Sequence, residues 1–234
     1  IIENIDIGGP SMVRSAAKNY TDVTVITSKN QYADLIEQLK IHSGSTTLKF
    51  REKMSQVAFS ETAFYDSVIS KYFNRISKTS FPKNITIHGN LIEKLRYGEN
   101  PHQEGSFFVN EDMKESSIAN STQLQGKELS LNNIYDADSC LETVKEFKDN
   151  ACVIVKHNNP CGVAEHQSLL KAYVDARDCD PISAFGGIVA FKNKVESDVA
   201  NEIVSTFIEV LVAPSYSDEA IEILKAKPNL RVLQ

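Results

Sequence analysis

The chain has 234 residues, 41 % of them apolar and 24 % charged, which is ordinary globular usage and excludes collagen-like, low-complexity and wholly disordered classes. Its net charge of −6 gives no general attraction to the phosphate backbone of a nucleic acid, so an anionic ligand would need a local pocket. Apolar runs such as 151–155 are far shorter than the ~20 residues of a membrane-spanning helix. We therefore expect a folded protein of one or two domains that binds neither nucleic acid nor membrane.

Cysteine usage and the chain ends carry two further expectations. The four cysteines include no C-x-x-C pair and no dense framework, which favours free thiols in a reducing compartment and predicts a cytoplasmic location. The chain begins with Ile1 rather than Met and lacks the basic segment and cleavage motif of a signal peptide. Residues 230–234 have the pattern of a strand that stops without a partner. We expect an internal piece of a longer protein.

Helical patterns dominate the first third of the chain. The spacing of apolar residues predicts, in order, a helix over 11–19, a strand over 22–28, a helix over 30–39 and two helices within 46–76. The polar, proline-containing segment 77–84 is the best candidate for a domain boundary. The sequence therefore predicts two domains, 1–80 and 81–234.

The rest of the chain alternates between strand and helix patterns. Strands are predicted over 85–88, 105–109, 152–155, 187–191, 210–213 and 230–234, a short extended piece over 129–133, and helices over 136–147, 169–177, 198–207 and 220–225. The run 152–155 is apolar throughout, which indicates a strand buried on both faces. This alternation predicts an α/β fold.

The strongest local motif directly follows that buried strand. Lys156 and His157 open the segment KHNNPCG, which ends in a Pro and Gly turn. In an open α/β sheet, ligands collect outside the carboxyl ends of strands, where this motif would present an ammonium group beside an imidazole. An imidazole there could act as a general base. The alternative is a turn with a surface lysine and a capping histidine.

A second motif, LRYGENPHQ, offers groups suited to a phosphorylated heterocycle. The guanidinium of Arg96 is a planar fork that matches phosphate, and the ring of Tyr97 can stack on a heterocycle or hydrogen-bond to it. Arg96 could equally be a surface ion-pair partner. In the segment NNIYD, Asn133 or Asp136 could simply cap the following helix.

A third motif lies near the start of the chain. Gly8 and Gly9 permit close approach of the backbone to a ligand at the beginning of a helix, with Asp6 before it and Lys18 along it. On spacing alone, Asp6 is a cap and Lys18 a solvated side chain. A zinc deaminase site is not expected, because Asn159 stands where the H-x-E motif needs Glu and Ala164 where P-C-x-x-C needs its second Cys.

Four segments resemble one family in register from end to end. They are NIDIGGPSMVRSAAKN (4–19), LRYGENPHQ (95–103), VKHNNPCGV (155–163) and DPISAFGG (180–187). They resemble the bifunctional purine biosynthesis family, phosphoribosylaminoimidazolecarboxamide (AICAR) formyltransferase/IMP cyclohydrolase. The resemblance implies the C-terminal part of a methylglyoxal-synthase-like cyclohydrolase domain over 1–80. It also implies a cytidine-deaminase-like α/β subdomain of the transformylase, without zinc, over 81–234.

The resemblance also implies chemistry and partners. Formyl would pass from 10-formyltetrahydrofolate, a co-substrate, to AICAR, and formyl-AICAR would then close its ring to IMP with loss of water. The family further implies a homodimer. A different class of function stays open at this point, a non-catalytic module that binds purine nucleotides.

Individual residues take roles through the same resemblance. Lys156 and His157 resemble the catalytic pair of the transformylase, and Asp6 and Lys18 resemble acid–base residues of ring closure. The remaining positions resemble substrate contacts: Arg96, Tyr97, Asn133, Phe185, Gly186, Glu209 and the backbone of Gly8. Glu209 departs from the Asp expected in some relatives.

Overall fold

The computed structural model describes residues 2–110 and 114–234. The chain divides into two compact units, Ile1–His88 and Gly89–Gln234. Among the described residues, no helix combines the length and the apolar character needed to cross a membrane.

Three α-helices make up most of the described part of the first unit, residues 2–88. They are α1 (Gly8–Lys18), α2 (Tyr32–Ile41) and α3 (Leu48–Ile76). The expectation of two helices within 46–76 is wrong, because no Gly or Pro interrupts the pattern and one 29-residue helix forms. The side chain of Thr47 accepts the backbone N–H of Phe50 and so caps its start. The core of this unit consists of Ala17, Val25, Phe50, Met54 and Ala58.

Two strand predictions in this unit are wrong. Residues 23–28 and 85–88 have no regular secondary structure. The β-branched alternation of 22–28 is a real preference, but a strand forms only where a neighbour completes its hydrogen-bond ladder. None of the described residues of this unit forms such a ladder.

The described residues of the second unit, 89–110 and 114–234, form a two-stranded and a six-stranded sheet. Strands β1 (Asn90–Leu95) and β2 (Gly105–Val109) pair antiparallel. The larger sheet, in spatial order β3-β8-β7-β6-β4-β5, contains β3 (Gln123–Gln125), β4 (Ala151–Lys156), β5 (Asn159–Glu165), β6 (Ile188–Phe191), β7 (Val210–Val212) and β8 (Arg231–Leu233). Its helices are α4 (Leu131–Lys145), α5 (Leu169–Cys179), α6 (Pro181–Ala184), α7 (Ser197–Ser205) and α8 (Asp218–Leu224).

Helices cover the large sheet on both faces. One cluster of buried side chains joins Ile154 to α5, α7 and α8, and a second joins Val153 to α4. Strand β4 is therefore buried on both faces, as its unbroken apolar run predicts. The mixed α/β class expected from the alternating pattern is confirmed.

Strand directions decide which residues meet at one edge of the sheet. Strands β6, β7 and β8 are parallel to one another, whereas β4 is antiparallel to β6. The register aligns Val155 with Ile188, Ile188 with Val210, and Val210 with Arg231. The carboxyl end of β4 therefore lies beside the amino ends of β6, β7 and β8.

Two further expectations need correction. Strand β8 is not unpartnered, because it lies between β7 and β3 in the sheet. The segment 129–133 is not extended throughout, because α4 begins at Leu131, five residues before the predicted helix. Ser130 and Asn133 cause this early start: each side chain accepts the backbone N–H of the other residue and so forms a capping box.

Candidate functional site

A cavity of about 550 Å³ opens at the edge of the large sheet where β7 and β8 begin. We call it the edge cavity. Its lining includes four residues that the sequence singled out, Arg96, Tyr97, Asn133 and Glu209. They come from segments more than 100 residues apart, from the end of β1 to the start of β7. The fold therefore assembles one site from three separate segments of the chain.

The position of this edge differs from the general expectation for α/β sheets. Ligands commonly collect at the carboxyl ends of parallel strands, and Lys156 does occupy the carboxyl end of β4. Because β4 runs against β6, that end meets the amino ends of the three parallel strands. The amino end of α4, where Asn133 is located, also contributes to this edge.

Two buried side chains, Asn133 and Arg231, fix the partly exposed carboxylate of Glu209 in the edge cavity. The Asn133 side-chain amide donates a hydrogen bond to Glu209 Oε2 at 3.0 Å, and a guanidinium nitrogen of Arg231 lies 3.8 Å from the same oxygen. Arg231 Nε also donates to the carbonyl of Glu128 at 2.9 Å. Burial lowers the pKa of Arg231, and the charge of nearby Glu209 opposes that shift. Glu209 is thus held in one orientation.

Lysine and arginine residues that no sequence motif indicated add positive charge to the edge cavity. Lys127 and Lys227 line it together with Arg96 and Arg231. The two lysines lie on turns 100 residues apart in the sequence, so no local pattern could have connected them. The glycine before Lys127 is a partial signal of a turn in the sequence. Gly126 has a φ of +104°, which a residue with a side chain rarely adopts. A Cβ at Gly126 would lie 2.4 Å from the carbonyl oxygen of Leu230.

Lys156 is anchored to the neighbouring turn. Its Nζ donates a hydrogen bond to the carbonyl of Phe185 at 2.7 Å, so Lys156, Phe185 and Gly186 lie together. Gly186 adopts a φ of +73°, and its N–H donates to the carbonyl of Phe207 at 2.8 Å. The rings of Phe185 and Phe207 pack with their centroids 5.2 Å apart. Because Phe207 lines the edge cavity, this aromatic pair connects the lysine to it.

The strand register gives the backbone distance between Lys156 and Glu209. Lys156 lies across two strand spacings from Glu209, with Gly187 between them. At ~4.8 Å per spacing, the two backbones are about 10 Å apart. Lys156 and Glu209 thus belong to one sheet edge, although Lys156 does not itself line the cavity.

His157 lies in the tight turn that joins β4 to β5. Lys156 pairs with Asn159, so His157 and Asn158 form a two-residue hairpin loop. Their φ angles of +54° and +62° lie in the left-handed region that a type I′ turn requires. A residue with a side chain costs about 1 kcal/mol or more there. The imidazole is exposed and is not among the groups that line the edge cavity.

The first unit separates its candidate residues. Asp6 Oδ1 accepts the N–H of Gly9 at 3.0 Å, as a capping residue of α1 would, and the Asp6 N–H donates to the hydroxyl of Tyr65. Gly8 is the first residue of α1 and Lys18 the last. At 1.5 Å per residue, those two ends are about 15 Å apart. The structure does not bring Asp6 and Lys18 together.

The edge cavity is lined by basic side chains and by groups that form hydrogen bonds. The fold and this cavity together indicate an α/β protein that binds a phosphorylated ligand. A family model described as the AICARFT/IMPCHase bienzyme matches residues 16–234. The bifunctional purine biosynthesis protein PurH of Magnetococcus marinus is 48 % identical over 239 aligned residues, which cover 100 % of this chain. The chain therefore belongs to the AICARFT/IMPCHase bienzyme family, and the resemblance seen in its four motifs is confirmed. It spans 45 % of the length of that relative.

Proposed function

We propose that this chain contributes to the last two steps of IMP formation. In the first step, 10-formyltetrahydrofolate donates its formyl group to AICAR, and in the second, formyl-AICAR closes its ring. Residues 1–80 would belong to the cyclohydrolase domain, of methylglyoxal-synthase-like fold. Residues 81–234 would form a cytidine-deaminase-like part of the transformylase domain. A mixed sheet with helices on both faces supports that second assignment.

The edge cavity is the observation that carries this proposal. Arg96, Lys127 and Lys227 supply the positive charge that a nucleotide phosphate needs, and Tyr97 offers an aromatic face for the heterocycle. One oxygen of Glu209 is held by Asn133 and Arg231, which leaves its other oxygen to accept an O–H or N–H of the substrate. These groups match the parts of AICAR: a phosphate, a ribose and an amino-substituted ring.

The formyl transfer step requires a base beside the amine. The AICAR amine is a weak nucleophile because its lone pair is conjugated with the ring and carboxamide. Its nitrogen forms a bond to the formyl carbon, the bond from that carbon to the folate nitrogen breaks, and one proton moves from the amine to the base. We assign the base to His157. The proton returns to the departing folate nitrogen, so atoms and charge balance.

Lys156 would support this step by orienting the reacting groups. Its ammonium group is fixed on the Phe185 carbonyl, next to the Gly186 turn and the aromatic pair that reaches the edge cavity. A cation at that point can stabilise the negative charge that develops on the formyl oxygen during attack. The substrate would thus extend along the sheet edge, from its phosphate among the cavity cations to its amine near the hairpin.

Ring closure would use residues of the first unit. The carboxamide nitrogen of formyl-AICAR attacks the formyl carbon, and the resulting adduct loses water to give IMP. A carboxylate and an ammonium group can carry the proton transfers. Asp6 precedes α1 and Lys18 ends it, so the two side chains would approach the closing ring from different directions, with the Gly8 backbone near the base. The family resemblance supports a homodimer, and cysteine usage supports a cytoplasmic location.

One substitution tests the formyl transfer assignment. In the full-length gene product that contains this chain, His157→Ala should abolish formyl transfer and leave ring closure of supplied formyl-AICAR nearly intact. The reason is that the imidazole serves only the first reaction. Equal loss of both activities, or full retention of formyl transfer, would contradict the assignment.

Calorimetry tests the phosphate end of the edge cavity separately. Lys227→Met should weaken AICAR binding by ~10-fold or more, because a charge-assisted bond to phosphate contributes about 1.5–3 kcal/mol. It should leave binding of the corresponding riboside, which lacks the phosphate, unchanged. Lys225→Met is the matched control, since Lys225 is exposed, pairs with Glu222 and lies outside the cavity lining. The same loss in both variants would contradict a phosphate role for Lys227.

A second candidate function is a nucleotide-binding module without catalysis. The observation in its favour is that His157 is exposed and does not line the edge cavity. Such a module would bind AICAR with Arg96 and Lys227 intact, yet the full-length gene product would transfer no formyl group. Parallel binding and formyl-transfer measurements therefore separate the two functions.

A further inference from the structure

The hairpin turn that presents His157 is held by a carboxylate from another element. Asp136, on α4, accepts the N–H of His157 through Oδ2 at 3.2 Å and the N–H of Asn158 through Oδ1 at 2.7 Å. Ser139, one turn further along α4, donates a hydrogen bond to the side-chain oxygen of Asn158. Both residues of the turn are thus hydrogen-bonded to the same helix.

Asp136 lies on the same face of α4 as Asn133, which lines the edge cavity. Asn133 and Asp136 are three residues apart on α4, so their side chains project from neighbouring positions on one face. Asn133 binds Glu209, in the lining of the cavity, whereas Asp136 binds the turn that carries His157. The first turns of α4 therefore connect the two halves of the proposed site.

We propose that Asp136 is a positioning residue for formyl transfer: it fixes the His157 turn relative to the edge cavity through α4. This inference rests on the proposed function, because it takes His157 as the base. Asp136 would touch neither the substrate nor the reacting atoms. Its two oxygens accept the two backbone N–H groups of a turn whose left-handed conformation a histidine does not favour.

The composition of the turn supports a functional reading over a purely structural one. Type I′ hairpins favour Asn or Gly at the first loop position and Gly at the second. Here the first position holds His157 instead, so the chain keeps an imidazole where it is conformationally unfavourable. The carboxylate of Asp136 offsets part of this conformational cost, because it accepts the backbone N–H groups of both turn residues. A hairpin that served only to reverse the chain would need neither feature.

The test combines a truncation with a second-site rescue. In the full-length gene product, Asp136→Ala should lower kcat for formyl transfer by about 10- to 100-fold, with KM for AICAR changed less than about threefold and ring closure unchanged. Asn158→Gly favours the left-handed turn without the carboxylate. Adding it to Asp136→Ala should raise kcat at least about fivefold above that of the single variant. The matched control is Asp138→Ala, on the same helix, where the side chain faces Glu142 and Lys145. It should leave kcat within about twofold.

A readout without activity keeps the inference separate from the proposed function. Hydrogen exchange followed by mass spectrometry should show faster exchange over 155–161 in Asp136→Ala and no change in Asp138→Ala. If exchange and kcat are both unaffected by Asp136→Ala, the inference is wrong. It is also wrong if the double variant is as thermally stable as the parent yet recovers no kcat. If His157→Ala itself retains formyl transfer, the proposed function fails instead, whatever Asp136→Ala does.

Discussion

Replacing Arg231 by methionine removes a buried guanidinium group from the lining of the edge cavity while keeping most of the side-chain stem. Arg231 has only 9 % of its surface exposed, and its Nε donates to the Glu128 carbonyl at 2.9 Å. A guanidinium nitrogen also lies 3.8 Å from Glu209 Oε2. The substitution leaves the carbonyl without this donor and the carboxylate without its cation.

The expected cost follows from those two contacts. Loss of a buried hydrogen bond from a charged donor costs about 1.5–3 kcal/mol. The ion pair adds at most about 1 kcal/mol, because the Glu209 side chain is 43 % exposed and solvent screens the pair. The free energy of unfolding should therefore fall by about 1.5–4 kcal/mol.

Urea denaturation measures this change. With a slope near 2 kcal/mol/M, the midpoint should decrease by about 1–2 M. Circular dichroism follows the transition, and hydrogen exchange of the peptides from β7 and β8 assigns it to the second unit. Lys194→Met is the control, since the pair of Lys194 with Glu196 is about half exposed and should contribute little. An equal midpoint shift in the two variants would refute the reasoning.

Three further predictions concern packing, thiols and pH. Gly162→Ala should cost about 4 kcal/mol or more, measured by the same denaturation, because its Cβ would lie 1.9 Å from a carbonyl oxygen of α5; a loss below about 1 kcal/mol would contradict this. A thiol reagent should label exposed Cys179 in the native protein and spare Cys140, whose pKa is raised by burial; equal labelling would contradict the packing. The Ser183 side chain lowers the pKa of Asp180 by hydrogen bonding, so this contribution to stability is present above the usual Asp pKa and is lost as the pH falls through the lowered value. An NMR titration should show this pKa rise in Ser183→Ala, and an unchanged pKa would contradict the cause.

Local patterns were sufficient for most elements of the second unit. Strand β2 (Gly105–Val109) has the bounds that its sequence predicts, and α5 and β7 differ from the prediction by two residues or fewer at either end. Alternation with period 2, helical spacing and serine caps depend on residues only a few positions apart, so the sequence shows them directly. The early start of α4 was also a local signal, carried by Ser130 and Asn133.

The candidate site could be predicted only in part, because its residues come from segments that are far apart in the sequence. Its motifs were visible because Arg96, Tyr97 and the segment around His157 are unusual in composition. Lys127 and Lys227 are ordinary lysines, and only the fold brings them to the same cavity. The hydrogen bonds between Asp136 and the hairpin turn likewise join residues that are 21 and 22 positions apart, and no sequence pattern predicts them.

The sequence by itself determined most of the helices, the strands β2, β4, β6, β7 and β8, the two-sided burial of β4 and the family of the chain, but it indicated no strand at β1, β3 or β5. Tertiary structure decided the rest: β8 pairs between β3 and β7, and β4 runs against β6, so the residues of the site meet at the amino ends of the parallel strands. Helix and strand preferences arise between near neighbours, whereas strand order and direction depend on how the whole unit buries its apolar faces and pairs its backbone groups.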